Sequence, residues 1–252
     1  MNRAVVFHVP HSSDVIPSEA RAGLLLSDSE LANELLRMTD WYTDELFAQA
    51  ACGCPTVVFP VSRLVLDPER FESDEREVMA AQGMGVIYTK TSSGHRLREC
   101  PAAVMREAAL AKYYRPHHAR LTRAVSQCLE EHGRALIIDC HSFPAAPLPF
   151  ELQKELDRPE ICIGTDSFHT PAALTDTART AFEGQGFTVD IDRPFSGALV
   201  PSRYYQKDQT VSSIMIEVRR DLYMDEVTGR RHPTFADVVH RLTVALRAIT
   251  IE

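Results

Sequence analysis

The 252-residue chain has no apolar run that approaches membrane-spanning length, so no transmembrane helix is expected. Its first residues, Met1 to Phe7, lack the long apolar core of an export signal and enter a strand-like run at once, which reads as a cytoplasmic protein. Basic residues are not in excess: 27 Lys and Arg stand against 35 Asp and Glu, a formal charge of −8. General nucleic-acid binding needs a basic footprint and is excluded on that ground. A small anionic ligand is not excluded, because a few arginines can reverse the field inside a cleft. There is no internal repeat and no low-complexity linker. The six cysteines (Cys52, Cys54, Cys100, Cys128, Cys140 and Cys162) are scattered, and no second close pair completes a four-ligand site with Cys52-Gly53-Cys54. Free thiols are therefore expected. No G-x-S-x-G elbow is present. Cys140 and His141 are neighbours on an extended segment and point to opposite sides, which argues against a cysteine nucleophile paired with that histidine.

What is present is 44% hydrophobic and 25% charged sequence, enough for one α/β domain spanning residues 1–252. Apolar β-branched runs alternate with helical patterns, which predicts a three-layer α/β/α fold with a mixed, mainly parallel sheet. Strands are expected at Ala4 to Val9, Thr56 to Pro60, Arg134 to Asp139, Ile161 to Gly164, Gly186 to Ile191 and Val211 to Val218. Ser62 to Asp67 reads as extended. Helical spacing runs from Asp28 to Ala50, from Pro171 to Gly184 and from Thr234 to Ile249. Ala102 to His132 reads as one long helix or as two broken near Pro116.

On this layout His11, His141 and Glu217 fall at the carboxyl ends of strands, the edge at which open α/β sheets bind ligands. Two imidazoles and a carboxylate brought together there have the makings of a hydrolytic zinc centre, which has three protein ligands and one open position. A carboxylate beside it takes a proton from water as the water attacks a carbonyl. Glu217 has the type and placement of that base. The third ligand has two candidates. Asp14 makes an H-x-x-D pair with His11, and Asp40 lies toward the end of the helix expected beside the first strand. Each of these residues also has an ordinary structural use, as a turn, a cap or a loop hydrogen bond.

Seven segments together resemble the N-formylglutamate amidohydrolase family: Val9-Pro10-His11-Ser12-Ser13, Thr39-Asp40-Trp41-Tyr42, Ser62 through Arg70, Tyr114-Arg115-Pro116-His117-His118, Asp139-Cys140-His141-Ser142, Asp192 through Gly197, and Ile216-Glu217. Their order covers nearly the whole chain. The resemblance implies a fold like that of zinc carboxypeptidases and aspartoacylases, a zinc or other divalent transition-metal cofactor, and hydrolysis of a formyl or similar amide on an acidic amino acid. In such a family N-formyl-L-glutamate, the end product of histidine breakdown, is cleaved to formate and glutamate. Four positions differ from the family's usual pattern: Ser13 for glycine, Glu69 for the asparagine before Arg70, Ala198 for the second glycine after Gly197, and His117 for tyrosine.

A substrate with two carboxylates calls for guanidinium groups, which bind carboxylate in a planar, bidentate manner. The resemblance points to Arg63 and Arg70, with Arg193 as a third choice. His118 is expected to line the cleft or stabilise a developing oxyanion, on the premise that His117 and His118 cannot both face inward. His95 lies in a loop (residues 92–96) that reads by default as a solvated connection, with a cover over the site as the alternative. Tyr204 and Tyr205 read as packing residues, and His169 as a lower-ranked substitute ligand. Two other functions use the same residues: a metallo-carboxypeptidase-like enzyme for a small peptide, and a binding domain for an acidic metabolite without turnover.

Overall fold

The computed structural model describes residues 4–250; of the expected N-terminal run, Met1 to Arg3 lie outside them. In chain order the elements are β1 (Val5–Val9), α1 (Ser18–Arg21), α2 (Asp28–Met38), α3 (Thr43–Leu46), β2 (Thr56–Val58), α4 (Ala103–Ala109), α5 (Arg115–His132), β3 (Ala135–Phe143), β4 (Ile161–Gly164), α6 (Ala172–Glu183), β5 (Val189–Ile191), β6 (Val211–Arg219) and α7 (Phe235–Thr250). The six strands form one sheet in the order β2-β1-β3-β6-β4-β5. The first four run parallel to one another, and β4 and β5 run the opposite way. The mixed, mainly parallel sheet is thus as expected. The reversal follows from residues 144–160, which contain no helix. A parallel return needs a crossover element, so β4 starts at the edge where β3 ended, with Ile161 opposite Val218.

Side-chain alternation divides the core between the two faces. Val5, Phe7, Val9, Ile138, Cys140, Ile214, Ile216 and Val218 pack with residues of α3, α6 and α7. Val6, Ala135, Ile137 and Val211 pack with Leu121, Ala124, Val125 and Cys128 of α5. The same alternation sends His8, Asp139, His141 and Glu217 to the α5 face, where the apolar cluster gives way to polar residues.

Several local expectations differ from the structure. The helical run from Asp28 stops at Met38, Thr39 turns extended, and Tyr42 takes a left-handed backbone (φ 66°) before the short α3. Residues 62–67 form a turn, not an extended segment: Val65 N–H bonds to Ser62 C=O, and the buried Ser62 hydroxyl accepts from Leu64 N–H. Residues 103–132 run on as one helix through Pro116, because Leu110–Tyr114 widen into a π-helical turn ahead of it. That bulge absorbs the proline's missing N–H. The 92–96 loop is tied down through Ser92, whose N–H (2.5 Å) and hydroxyl (2.9 Å) bond to the buried Glu34 carboxylate. His95 on it does not reach the cleft.

Candidate active site

Strand register builds the centre. His141 lies directly opposite Glu217 on β3 and β6, and Asp139 opposite His8 on β3 and β1. Neighbouring parallel strands lie about 4.8 Å apart, so these side chains share one face at contact range. Both His141 and Glu217 belong to the strands themselves rather than following them. His11 follows β1 after Pro10, and its ring lies 5.1 Å from that of His141, centroid to centroid. Asp40 reaches the same place from the end of α2. Its N–H bonds to His11 C=O at 3.0 Å, and Thr43 Oγ1 donates to its C=O at 2.9 Å. One Asp40 oxygen, Oδ2, then stands 3.2 Å from His141 Nδ1 and 3.7 Å from His11 Nδ1.

Behind each imidazole is another carboxylate. His11 donates from Nε2 to Asp67 at 2.8 Å. His141 Nε2 lies 3.3 Å from Asp139 and 3.1 Å from Glu69. Asp67, fully buried, also accepts from Arg63 Nη2 (2.8 Å), from Glu69 N–H (2.9 Å) and from the Tyr88 hydroxyl. Asp40 Oδ1 takes a hydrogen bond from Arg220 Nη2 at 2.9 Å, and the same guanidinium grips Ser142 and the Arg37 carbonyl. Asp40 therefore keeps one oxygen on a fixed cation and the other toward the histidines.

The charges follow from this cage. Burial opposes ionisation of Asp67, but His11 and Arg63 outweigh it and hold its pKa well below the carboxylate range. For Asp40 burial is likewise overcome by His11 and His141. Burial and Arg63 pull the His11 pKa down, yet Asp67 and Asp40 leave it above its ordinary value. Burial pulls His141 the same way, and Glu69 and Asp139 raise it well above. Both imidazoles thus sit where positive charge is stabilised. Glu217 differs. Burial pushes it up to about 8, Asp40 and Glu69 adding to the rise while His141 and Arg220 oppose it. A carboxylate so poised can gain and give a proton near neutral pH.

Buried polar atoms normally find partners, yet His11 Nδ1, His141 Nε2, Glu69 Oε1 and Glu217 Oε2 have no hydrogen bond. Among the described residues His11, Glu69 and His141 bring ligand atoms within 4.8 Å of one another. Orphaned nitrogens facing carboxylates suit a divalent transition metal.

These groups open into a cavity of about 820 Å³. Arg63 and Arg70 line one wall. Arg63 Nη1 is 3.9 Å from Asp40, and Arg70 is largely buried with its Nε unpartnered, so both keep donors for a ligand. Phe143, Leu148, Phe150 and Phe195 supply an apolar side.

Of the residues expected at the site, His11, Asp40, His141, Glu217, Arg63, Arg70 and His118 all line this cavity. Asp14 does not. The chain bends at His11 and has no regular structure over residues 12–16, and Asp14 is exposed, outside the cavity lining. Arg193 is also elsewhere, bonded to Asp190 (2.8 Å) and the Asp157 carbonyl (2.8 Å). His118 Nε2 lies 2.9 Å from the Pro68 carbonyl, so its N–H fastens the 67–70 segment. His117 faces inward as well, fully buried with Nε2 2.8 Å from His8 Nε2. Consecutive helical residues lie 100° apart, which leaves room for one in the core and one at the cleft. His169 is buried but satisfied by the Val211 carbonyl and the Gln206 N–H. Tyr204 is buried against Ser126, and Tyr205 stacks on His169 at the cavity wall.

Sequence reasoning gave no site role to Glu69, Asp67, Arg220 or His8. His8 carried a usable signal, a polar residue inside the apolar run Val5-Val6-Phe7-His8-Val9. Arg220 carried none, since its partners Asp40 and Ser142 are distant in sequence. Glu69 and His117, two of the positions that differ from the family pattern, meet around His8, with Glu69 Oε1 3.6 Å from His8 Nδ1.

Residues 3–224 match the model of the N-formylglutamate amidohydrolase family. N-formylglutamate deformylase of Pseudomonas aeruginosa is 25% identical over 228 residues, covering 88% of this chain and 82% of its own. The Pseudomonas putida enzyme of that name is 25% identical over 237 residues, covering 90% and 87%. The crystal structure of N-formylglutamate amidohydrolase from Ralstonia eutropha superposes with a TM-score of 0.85 at 22% identity, covering 98% of this chain and 93% of that one. A solved gene product of Agrobacterium tumefaciens gives 0.74 at 20% identity, covering 98% and 90%. The strand-register pairing of His141 with Glu217 and the arginine-lined cavity thus lie on a shared fold, and the chain belongs to the N-formylglutamate amidohydrolase family.

Proposed function

We propose that this chain is a metal-dependent hydrolase that cleaves the N-formyl, or another N-acyl, amide of an acidic amino acid such as N-formylglutamate. The observation that carries the reading is the juxtaposition of Glu217 with the His11–Asp40–His141 cluster on one sheet face. His11 Nδ1, His141 Nδ1 and Asp40 Oδ2 are the atoms we assign to zinc or a similar ion. With those nitrogens as ligands, each Nε2–H faces a carboxylate behind it, Asp67 for His11 and Asp139 for His141. That arrangement fixes the tautomer of a ligating histidine. When bound, the ion supplies Lewis acidity and a more acidic water.

The chain's own residues do the rest. Glu217 takes the proton from the attacking water and passes it to the departing nitrogen, whose bond to the acyl carbon then breaks. Arg63 and Arg70 orient a substrate carboxylate through planar pairs. Arg220 holds Asp40 in place. The size of the cavity and its apolar side favour a second reading, in which a small N-acylated peptide enters the same centre.

The test is a panel of N-formylglutamate, N-formylaspartate, N-acetylglutamate and short peptides, with metal content measured on the same preparation. Formate release from N-formylglutamate is expected, lost on chelation and restored by zinc. For Glu217→Gln a fall of about 10²–10⁴ in kcat is expected with metal content retained. Turnover that survives chelation in protein free of transition metal would overturn the reading. Cleavage confined to the peptides would select the second one.

A further inference from the structure

We propose that His8, Glu69 and Asp139 form a second divalent-cation site behind the first, on the other side of the His141 ring. It rests on the reading above only in sharing His141 as a neighbour. The first site uses the Nδ1 side of that ring, and this one faces Nε2. The ligand atoms of His8, Glu69 and Asp139 all lie within 4.8 Å of one another.

Register places His8 opposite Asp139 on adjacent strands, so their approach is a property of the sheet and not of a loop. His8 Nδ1 lies 2.7 Å from Asp139 Oδ1 and 3.6 Å from Glu69 Oε1. Zinc or a similar ion, with bonds of about 2.1 Å, holds tetrahedral ligands about 3.4 Å apart. The Glu69 contact has that spacing. The Asp139 contact widens to it when the shared proton is replaced by an ion. One imidazole and two carboxylates form a donor set suited to zinc or manganese.

Two observations independent of the cluster's composition point to a ligand there. His141 Nε2, in a side chain only 4% exposed, is aimed into this space and makes no hydrogen bond. Glu69 Oε1 is buried and unpartnered too. Among the described residues no arginine or lysine pairs with Glu69 or Asp139, whereas Asp40 has Arg220 and Arg63, and Asp67 has Arg63 and Arg70. Glu69 meets only imidazoles, and Asp139 adds to them one neutral donor, the Leu199 N–H at 3.2 Å, so a cation between the two carboxylates supplies the missing charge.

His117 completes the arrangement. Its Nε2 lies 2.8 Å from His8 Nε2, so one of the two nitrogens must carry a hydrogen. When His8 donates, its Nδ1 lone pair is free for the ion and His117 becomes the outer partner that orients the ring. The open fourth position is left to a water, whose oxygen accepts from the otherwise unpartnered His141 Nε2–H.

The experiment titrates the full chain, stripped with chelator and dialysed, with zinc chloride in a calorimeter. Bound metal is then counted by mass spectrometry after desalting. Wild type is expected to bind two equivalents. His8→Ala and Glu69→Gln should each drop to one, and Asp40→Asn should also keep one. His8→Gln, which retains an amide donor toward His117, serves if His8→Ala does not fold by circular dichroism. A wild-type stoichiometry of one that Asp40→Asn abolishes would sink this second site and leave the proposed function standing. No bound zinc at all would sink both. An unchanged two equivalents in His8→Ala and His8→Gln would overturn the assignment of His8.

Discussion

The two halves of the sheet deal with their polar side chains in opposite ways. At the carboxyl edge of β1, β3 and β6, His11 Nδ1, His141 Nε2 and Glu217 Oε2 are buried without partners. On the β4–β5 side, His169 is satisfied at both nitrogens. Asp192 spends one oxygen on Thr165 N–H (2.8 Å) and the other on the Thr165 hydroxyl (2.7 Å). Both histidine groups are buried, and both come from segments at or after strands. What separates them is strand direction. β4 runs against β6, so its carboxyl end and the His169 that follows it lie near Val211, at the start of β6, while Glu217 lies toward the end of β6. A buried polar atom left unpaired costs roughly 1–3 kcal/mol. That cost is concentrated where a ligand can repay it and is absent where none can.

The largest test of this contrast exchanges equivalent damage between the two halves. His141→Ala is expected to lose the metal assigned to the His11–Asp40 centre and at least about 10³ in kcat/KM. His169→Ala should keep metal and turnover but unfold about 1–3 kcal/mol more easily, leaving the Gln206 N–H and Val211 carbonyl unpaired. Metal analysis beside urea unfolding reads both. If His169→Ala loses metal and His141→Ala only stability, the division is wrong.

A smaller effect tests the arginine wall. Arg70→Lys retains charge but loses the planar fork, and a rise of roughly 10-fold in KM for N-formylglutamate is expected with kcat nearly kept. The same substitution should leave KM for an uncharged N-formyl amide unchanged. Equal effects on both substrates would remove Arg70 from carboxylate recognition.

The smallest effect concerns stability and pH. Burial lowers His118 to about 4, below the ordinary histidine value near 6.5. The unfolded chain therefore takes up a proton on His118 before the folded one does. Its contribution is intact above pH 6.5 and is lost as pH falls toward 4, by up to about 2 kcal/mol at pH 5. Urea unfolding at pH 7 and pH 5 should show this loss, and His118→Asn should reduce it. An identical pH dependence in the variant would show that His118 is already solvated.

Much of this was legible in the chain. The apolar runs located every strand, to within a few residues at the ends, because a buried strand must be apolar on both faces. Departures within such runs were the best site signals. His141 was read from its place beside a strand, whereas His8, inside one, passed unnoticed. Asp14 stands outside the cavity because no helix or hydrogen-bonded turn follows His11 to bring a residue three positions on back beside it. Arg193 failed because Asp190 and the Asp157 carbonyl, close only in the folded chain, claim it.

The sequence by itself determined the strand and helix types, the acidic net charge, and the residues able to serve as ligands and base. It did so because periodicity, charge and side-chain chemistry are local properties. Only the tertiary structure decided that Asp40 rather than Asp14 faces both histidines, that Asp67 and Arg220 hold that pair in place, and that Glu69 stands beside His8. Those relations join residues distant along the chain, and pairing register, strand direction and burial set them together.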